Sequence, residues 1–258
     1  MMKSLDGKTI LITGAAGGLG QEYTRQLLAL GARVILADVN EDALKTTADR
    51  LPRASGSIMG TIGADISGPE GCRRLYHAAG EIAPRVDLLI NNAGLINYGY
   101  FWEIPADKCD TLIAVNLLAP MRLSRLFVPD MIRHGSGHIV FTCSVAGFAA
   151  TALGTPYVTS KFGMRGFAMA LSGEVREKGL NITIVYPSWV KTRLLDSPEF
   201  GSAEIKSLPS IFSEDPAKVV AASIRGIRKN RLHVCPGLFA KLVWQAARFR
   251  PVVSRQSH

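Results

Sequence analysis

The sequence predicts a doubly wound α/β fold, a seven-stranded parallel sheet flanked by helices, and three observations predict it. Seven short, largely β-branched runs alternate strictly with longer segments whose apolar residues recur at helical spacing. The runs are apolar nearly throughout, as strands covered on both faces must be. A glycine-rich turn, TGAAGGLG at 13–20, joins the first run to the first helical segment.

In chain order the strands are KTILIT (8–13), RVILAD (33–38), SIMGTIGAD (57–65), VDLLIN (86–91), GHIVFTC (137–143), NITIVYP (181–187) and RLHVC (231–235). The intervening helices are read at 18–30, 41–51, 68–82, 107–133, 157–178 and 216–229. No Pro/Gly/Ser-rich linker, composition shift or repeat divides the 258 residues, so residues 1–258 are expected to form one domain. At 47% hydrophobic and 20% charged, the chain has ample apolar content for a substantial core.

Composition also excludes several classes of function. Cys72, Cys109, Cys143 and Cys235 stand far apart with no paired spacing and no nearby histidines, so neither a metal site nor a disulfide framework is expected, and all four are read as buried thiols. The formal charge of +9 is concentrated: residues 216–258 hold nine of the 30 Lys and Arg and none of the 21 Asp and Glu. A nucleic-acid binder would spread its basic charge over a face of the domain, so no nucleic-acid partner is expected. No 18-residue apolar run for a membrane span is read, and the apolar stretch in MMKSLDGKTILITG is too short for a signal peptide. The expected location is cytoplasmic.

In a doubly wound sheet the site lies beyond the carboxyl ends of the strands, near the point where strand order reverses. Glycines in TGAAGGLG permit a tight turn and let backbone approach a pyrophosphate, which then rests on the amides opening the first helix. The second strand ends in Asp38, at roughly the spacing from the first glycine where a carboxylate accepts the adenosine ribose hydroxyls. A carboxylate there repels a 2′-phosphate, and no Lys or Arg lies within AAGGLG to attract one. NAD is therefore expected over NADP.

Five separated motifs, in order and spacing, resemble those of the short-chain dehydrogenase/reductase superfamily, the single-domain Rossmann type with a Tyr-x-x-x-Lys pair. They are TGAAGGLG, NNAG at 91–94, Asn116 in IAVNLLAP, Ser144 in TCSVAG, and YVTSK at 157–161. The resemblance covers nearly the whole chain and implies a catalytic tetrad of Asn116, Ser144, Tyr157 and Lys161. It further implies cofactor contacts from Gly14, Gly18, Leu19 and Gly20 in the turn, Asp38, Asp65 and Ile66 after the third strand, Asn92 and Gly94, Tyr157 and Lys161, and Pro187, Val190 and Thr192 in YPSWVKT. The family usually has glycine after that proline, where this chain has Ser188.

Physical reasons accompany the carry-over. Tyr157 and Lys161 are i and i+4 on one helix face, and Pro156 suits the first turn of that helix. The lysine ammonium, the helix terminus and an oxidised nicotinamide would each favour tyrosinate, and a drop of about 3 pKa units corresponds to roughly 4 kcal/mol. Tyr157 would exchange the proton of the substrate oxygen, Ser144 would hydrogen-bond that oxygen, and Lys161 would hold the nicotinamide ribose. In the family the asparagine distorts its helix and holds a water in a proton relay, a role Asn116 would inherit.

Residues 193–212 occupy the position of the family's substrate lid, within a segment at about 190–213. Leu194, Leu195, Phe200, Ile205, Leu208, Ile211 and Phe212 can close over an apolar molecule, with Leu95, Ile96, Tyr98, Val145 and Trp189 as further wall. The expected substrate is a lipophilic secondary alcohol or ketone. The basic tail at 237–258 contains an amphipathic pattern at 237–250, in which Leu238, Phe239, Leu242, Val243, Ala246 and Phe249 share a face near Trp244. Peripheral contact with an anionic membrane and packing between subunits of a homodimer or homotetramer both suit it. Two other functions stay open: reduction of carrier-bound 3-oxoacyl chains, and a non-catalytic NAD(H)-binding regulatory role.

Overall fold

The computed structural model describes residues 4–51, 55–190, 192, 198–202, 213–249 and 252–254. In chain order these form β1 (Thr9–Thr13), α1 (Gly18–Ala29), β2 (Arg33–Asp38), α2 (Glu41–Arg50), β3 (Ser57–Gly63), α3 (Pro69–Ile82) and β4 (Leu88–Asn91). There follow α4 (Ala106–Ile113), a π-helical turn (Ala114–Leu118), α5 (Ala119–Arg133), β5 (Gly137–Thr142), β6 (Ala149–Thr151), α6 (Thr155–Val175) and β7 (Leu180–Val185). The last elements are β8 (Trp189–Val190), β9 (Ser213–Glu214), α7 (Pro216–Arg228), β10 (His233–Val234), α8 (Leu238–Phe249) and β11 (Val252–Ser254).

The seven expected strands assemble into one parallel sheet in the order β10-β7-β5-β4-β1-β2-β3. Two apolar cores flank it. On one face Leu27 and Leu28 of α1, Leu44 of α2 and Val220, Ile224 and Ile227 of α7 pack against Ile10, Ile12 and Ile90. On the other, Leu75 of α3, Leu123 and Phe127 of α5 and Met164 and Ala168 of α6 cover Leu11, Leu89 and Phe141. The chain builds outward from β1 to β3 and then returns to β4 on the other side. A crevice therefore opens between the carboxyl ends of β1 and β4, where both NNAG and the glycine-rich turn lie.

Local chemistry sets the helix starts. Asn40 caps α2 by accepting from the Ala43 amide at 2.9 Å, and Asp215 caps α7 through Ala217 N at 2.8 Å. Prolines occupy the first turns of α3, α6 and α7. Gly17, at the start of α1, offers no side-chain cap.

The structure differs from expectation at several points. The helix expected over 107–133 is interrupted by the π-helical turn, where Ala119 N bonds Ala114 O, five residues back. The composite helix Ala106–Arg133 does have the length and apolarity to cross a membrane, contrary to the sequence reading. Its Leu123, Phe127 and Met131 lie in the core beneath the sheet, so this apolarity serves packing. Only Cys72 and Cys143 are buried thiols, while Cys109 and Cys235 are partly exposed. Of the expected lid, Phe200 is described, but Leu194, Leu195, Ile205, Leu208, Ile211 and Phe212 lie outside the described residues.

Candidate active site

At the end of β1 the chain turns through Gly14 with φ at +65°, a left-handed conformation that favours glycine. A Cβ there would stand 2.7 Å from Ala93 Cα, so the turn and the NNAG segment are in backbone contact. Asn92 makes the junction: its amide donates to Thr13 O and Gly14 O, both at 3.1 Å, and its own N–H donates to Thr13 Oγ1 at 3.0 Å. The Asn92 amide nitrogen thus locks the NNAG segment to the glycine-rich turn. A Cβ on Gly20 would collide with Gly14 O, which keeps α1 hard against the turn.

The amides of Gly18, Leu19 and Gly20 open α1 with no side-chain cap and no acidic residue in the first turn. Uncapped donors at the positive end of a helix, facing the sheet's switch point, fit a pyrophosphate. Asp38, at the end of β2, accepts from Ala16 N at 3.0 Å and Asn40 N at 3.1 Å, which fixes its carboxylate beside this cradle. Asp65 lies on the surface and accepts from Ser67 N at 2.9 Å, a bond that holds its carboxyl below the ordinary value. Ile66 turns its side chain into the core.

Asn116 sits in the π-helical turn, fully buried. Its Oδ1 accepts from Leu95 N at 2.7 Å, and its Nδ2 donates to Leu95 O at 2.8 Å and Ser160 Oγ at 3.2 Å. The wider ring of the π turn re-aims this side chain out of the helix and onto the strand-end loop. A Cβ on Gly94 would lie 3.4 Å from Asn116 Oδ1 and 3.8 Å from Lys161 Nζ. The loop after β4 therefore runs alongside both Asn116 and Lys161.

Tyr157 and Lys161 stand one turn apart near the start of α6, with the lysine Nζ 5.5 Å from the tyrosine ring centre. Lys161 is only 4% exposed and donates from Nζ to Thr142 O at 2.9 Å, at the end of β5. Ser144 follows that strand, opens a short 3-10 turn at 145–147, and accepts from Ala146 N at 3.1 Å. Val145 N donates to Pro187 O at 2.9 Å, and Thr192 N to Val190 O at 2.7 Å. A Cβ on Gly18 would stand 2.7 Å from Thr192 Cγ2, so segment 187–192 bridges the serine turn and the glycine-rich turn. Ser188 N donates to Glu214 Oε2 at 3.3 Å, which anchors the residue that departs from the usual glycine.

In the protein itself, without the oxidised nicotinamide expected to act with Lys161 and the helix terminus, burial pushes the Tyr157 phenol above its ordinary value, opposed by the hydrogen bond with Ser144. Burial likewise pushes the Lys161 ammonium down, although its Nζ finds the Thr142 carbonyl. Nearby Tyr98 is pushed up to about 12 by burial and then by the charge of Glu199. Desolvation is the largest cause of all three shifts.

Thr13, Thr142 and Ser160 were missed by sequence reasoning. Thr142 acts through its carbonyl, which no side-chain pattern reveals, and Ser160 donates to Tyr157 O at 2.7 Å, a bond visible only once α6 is formed.

The family model described as short chain dehydrogenase matches residues 8–199. The chain is 34% identical to the ketoacyl reductase HetN of Nostoc sp., over 73% of this chain and 66% of that protein. It is 30% identical to the D-beta-hydroxybutyrate dehydrogenase of Cupriavidus necator, over 80% of this chain and 79% of that one. A short chain dehydrogenase/reductase from Burkholderia phymatum, solved in complex with NAD, superposes with a TM-score of 0.85 at 26% identity and covers 99% of both chains. The switch-point crevice, the ordered motifs around it and these likenesses agree: the chain belongs to the short-chain dehydrogenase/reductase superfamily of oxidoreductases.

Proposed function

We propose that this protein is an NAD(H)-dependent oxidoreductase that interconverts a lipophilic secondary alcohol and its ketone. The observation that carries the reading is the convergence of Ser144, Tyr157, Lys161 and Asn116 beside the uncapped start of α1. Gly14, Gly18, Leu19, Gly20, Asp38, Asp65, Ile66, Asn92, Gly94, Pro187, Val190 and Thr192 are the residues that would hold or shape the cofactor's site. When bound, nicotinamide supplies hydride donation or acceptance at carbon.

The chain's own groups supply the rest. Ser144 binds and orients the substrate oxygen, and Tyr157 gives or takes its proton. Lys161, fixed to the Thr142 carbonyl, holds its side-chain nitrogen beside that phenol. Asn116 holds the Leu95 loop against α6 and so keeps the tetrad assembled. The Asp38 carboxylate, locked by Ala16 and Asn40, supports NAD over NADP because a 2′-phosphate would meet a fixed negative charge. Partly buried Tyr98, Val145 and Trp189 and the exposed Leu95 support a lipophilic substrate.

Similarity to a ketoacyl reductase and the acid-free basic stretch at 216–258 favour a second reading, reduction of 3-oxoacyl chains on an acidic carrier. A panel of 2-decanone, steroid ketones, retinal and a 3-oxoacyl thioester, each with NADH and NADPH, separates the two. NADH with an apolar ketone is the expected best pair; preference for NADPH and the thioester would transfer the assignment. Tyr157→Phe is expected to lower kcat by at least 10³-fold with cofactor Kd within about threefold. Wild-type turnover in that variant would remove Tyr157 from the chemistry.

Apolar residues left exposed on α5 (Met121, Ile132) and α6 (Phe162, Met169) support a homo-oligomer formed through these helices. A cytoplasmic location, with or without membrane contact through the tail, completes the proposal.

A further inference from the structure

Trp244 lies in α8, the helix read from sequence as a candidate membrane or subunit contact, but it faces its own protein. Its ring meets Phe148 at 5.3 Å, Tyr186 at 5.4 Å and His233 at 4.7 Å between centres. The guanidinium of Arg165 stands over the same ring at 5.2 Å. Arg165 is four residues beyond Lys161 on α6, and its Nη1 donates to Gly147 O at 3.4 Å. Gly147 N in turn donates to Ser144 O at 2.9 Å.

These contacts converge on one short segment. Phe148, buried at the end of the serine turn, also packs edge-on against Tyr186 at 5.1 Å. A Cβ on Gly147 would lie 3.0 Å from Lys161 O, so the turn rests directly on the α6 backbone beside the tetrad. Beyond α8, β11 pairs with β6, Val252 opposite Ala149 and Ser254 opposite Thr151. The C-terminal elements thus grip residues 147–151 from outside while α6 supports them from inside.

We propose that Trp244 is a positioning residue for Ser144, acting through Phe148 and through the Arg165 hydrogen bond to Gly147. The consequence for turnover rests on the reading of Ser144 as the group that binds the substrate oxygen. Displacement of a reacting group by about 1 Å can cost up to about 100-fold in rate, so a turn packed from outside against the Trp244 ring is sensitive to the loss of that ring. Truncation of Trp244 removes both the ring against Phe148 and the platform beneath Arg165.

Amide hydrogen exchange of the full chain, read by mass spectrometry, tests this without a substrate. In Trp244→Ala, peptides covering 144–151 are expected to exchange at least tenfold faster, with those covering β1 and α1 unchanged. Trp244→Phe, which keeps a ring, is expected to restore near-normal protection. Arg165→Met provides the second variant if Trp244→Ala does not fold, and is expected to loosen the same peptides. Exchange at 144–151 within twofold of wild type, or equal acceleration everywhere, would overturn the proposal.

Turnover separates this idea from the role of Ser144. With the panel ketone reduced fastest, Trp244→Ala is expected to lower kcat more than tenfold with KM for NADH within twofold. Added to Ser144→Ala it is expected to change kcat less than twofold, since the group it positions is gone. An equal loss in both backgrounds would count against coupling, whereas wild-type kcat in Ser144→Ala alone would sink the Ser144 role and leave the exchange result standing.

Discussion

His138 shows how a residue's chemistry follows from its neighbours. It is fully buried in β5, with Nε2 2.9 Å from Thr183 Oγ1. The Thr183 hydroxyl donates to Arg231 O at 2.9 Å, so it must accept from His138, which places the proton on Nε2. The bare Nδ1 has no partner among the described residues. Burial accordingly lowers this histidine's pKa to about 3. An unfolded chain takes up the proton near pH 6.5 and the folded one only near 3, so this contribution is complete above pH 6.5 and is lost as pH falls. Between pH 7.5 and 4.5 the loss should reach about 3 kcal/mol. His138→Asn should flatten that part of the stability profile in urea melts, and an unchanged slope would refute the assignment. No motif marks His138 in the sequence, because its shift depends on β7 and the loop before β10 closing over it.

Among the elements, the turn after β1 was the most legible, because glycines at close spacing have few other uses between a strand and a helix. Its conformation makes a direct prediction. Gly14→Ala places a Cβ in the left-handed region and 2.7 Å from Ala93 Cα. A cost of about 1–3 kcal/mol in stability is expected, with weaker NADH binding by fluorescence titration. Unchanged melting and affinity would show that β1 and β4 tolerate separation there. The π-helical turn was less legible. Regular helical spacing runs through 107–133, and only the resemblance drew attention to Asn116 as a distortion. What stabilises the wider turn is a non-local pair of hydrogen bonds to Leu95, a partner 21 residues away.

At the scale of the molecule, the two cores explain why nearly every strand is apolar along its length, and they leave some apolar surface unassigned. Phe162 and Met169, each 42% exposed on α6, lie with Met121 and Ile132 of α5 outside either core. Light scattering of the eluting protein should report a dimer or tetramer, and Phe162→Glu with Met169→Glu should yield a monomer. A monomeric wild type would refute the proposed assembly. In the tail, the apolar face read from periodicity is divided by the tertiary fold. Val243 and Trp244 pack inward, while Leu238 at 72% and Leu242 at 60% remain exposed.

Sequence by itself determined the sheet, the order of its helices and the glycine-rich turn at 13–20, and its motifs singled out Asn116, Ser144, Tyr157 and Lys161 as the candidate site. Periodicity, glycine chemistry and motif spacing are local properties, written within a few residues of where they act. Tertiary structure alone decided that Asn92 serves the turn, that burial raises the Tyr157 phenol, and that Trp244 faces the serine turn. Each of these depends on segments distant in the chain meeting in a low-dielectric interior, where desolvation and the available partners set the outcome.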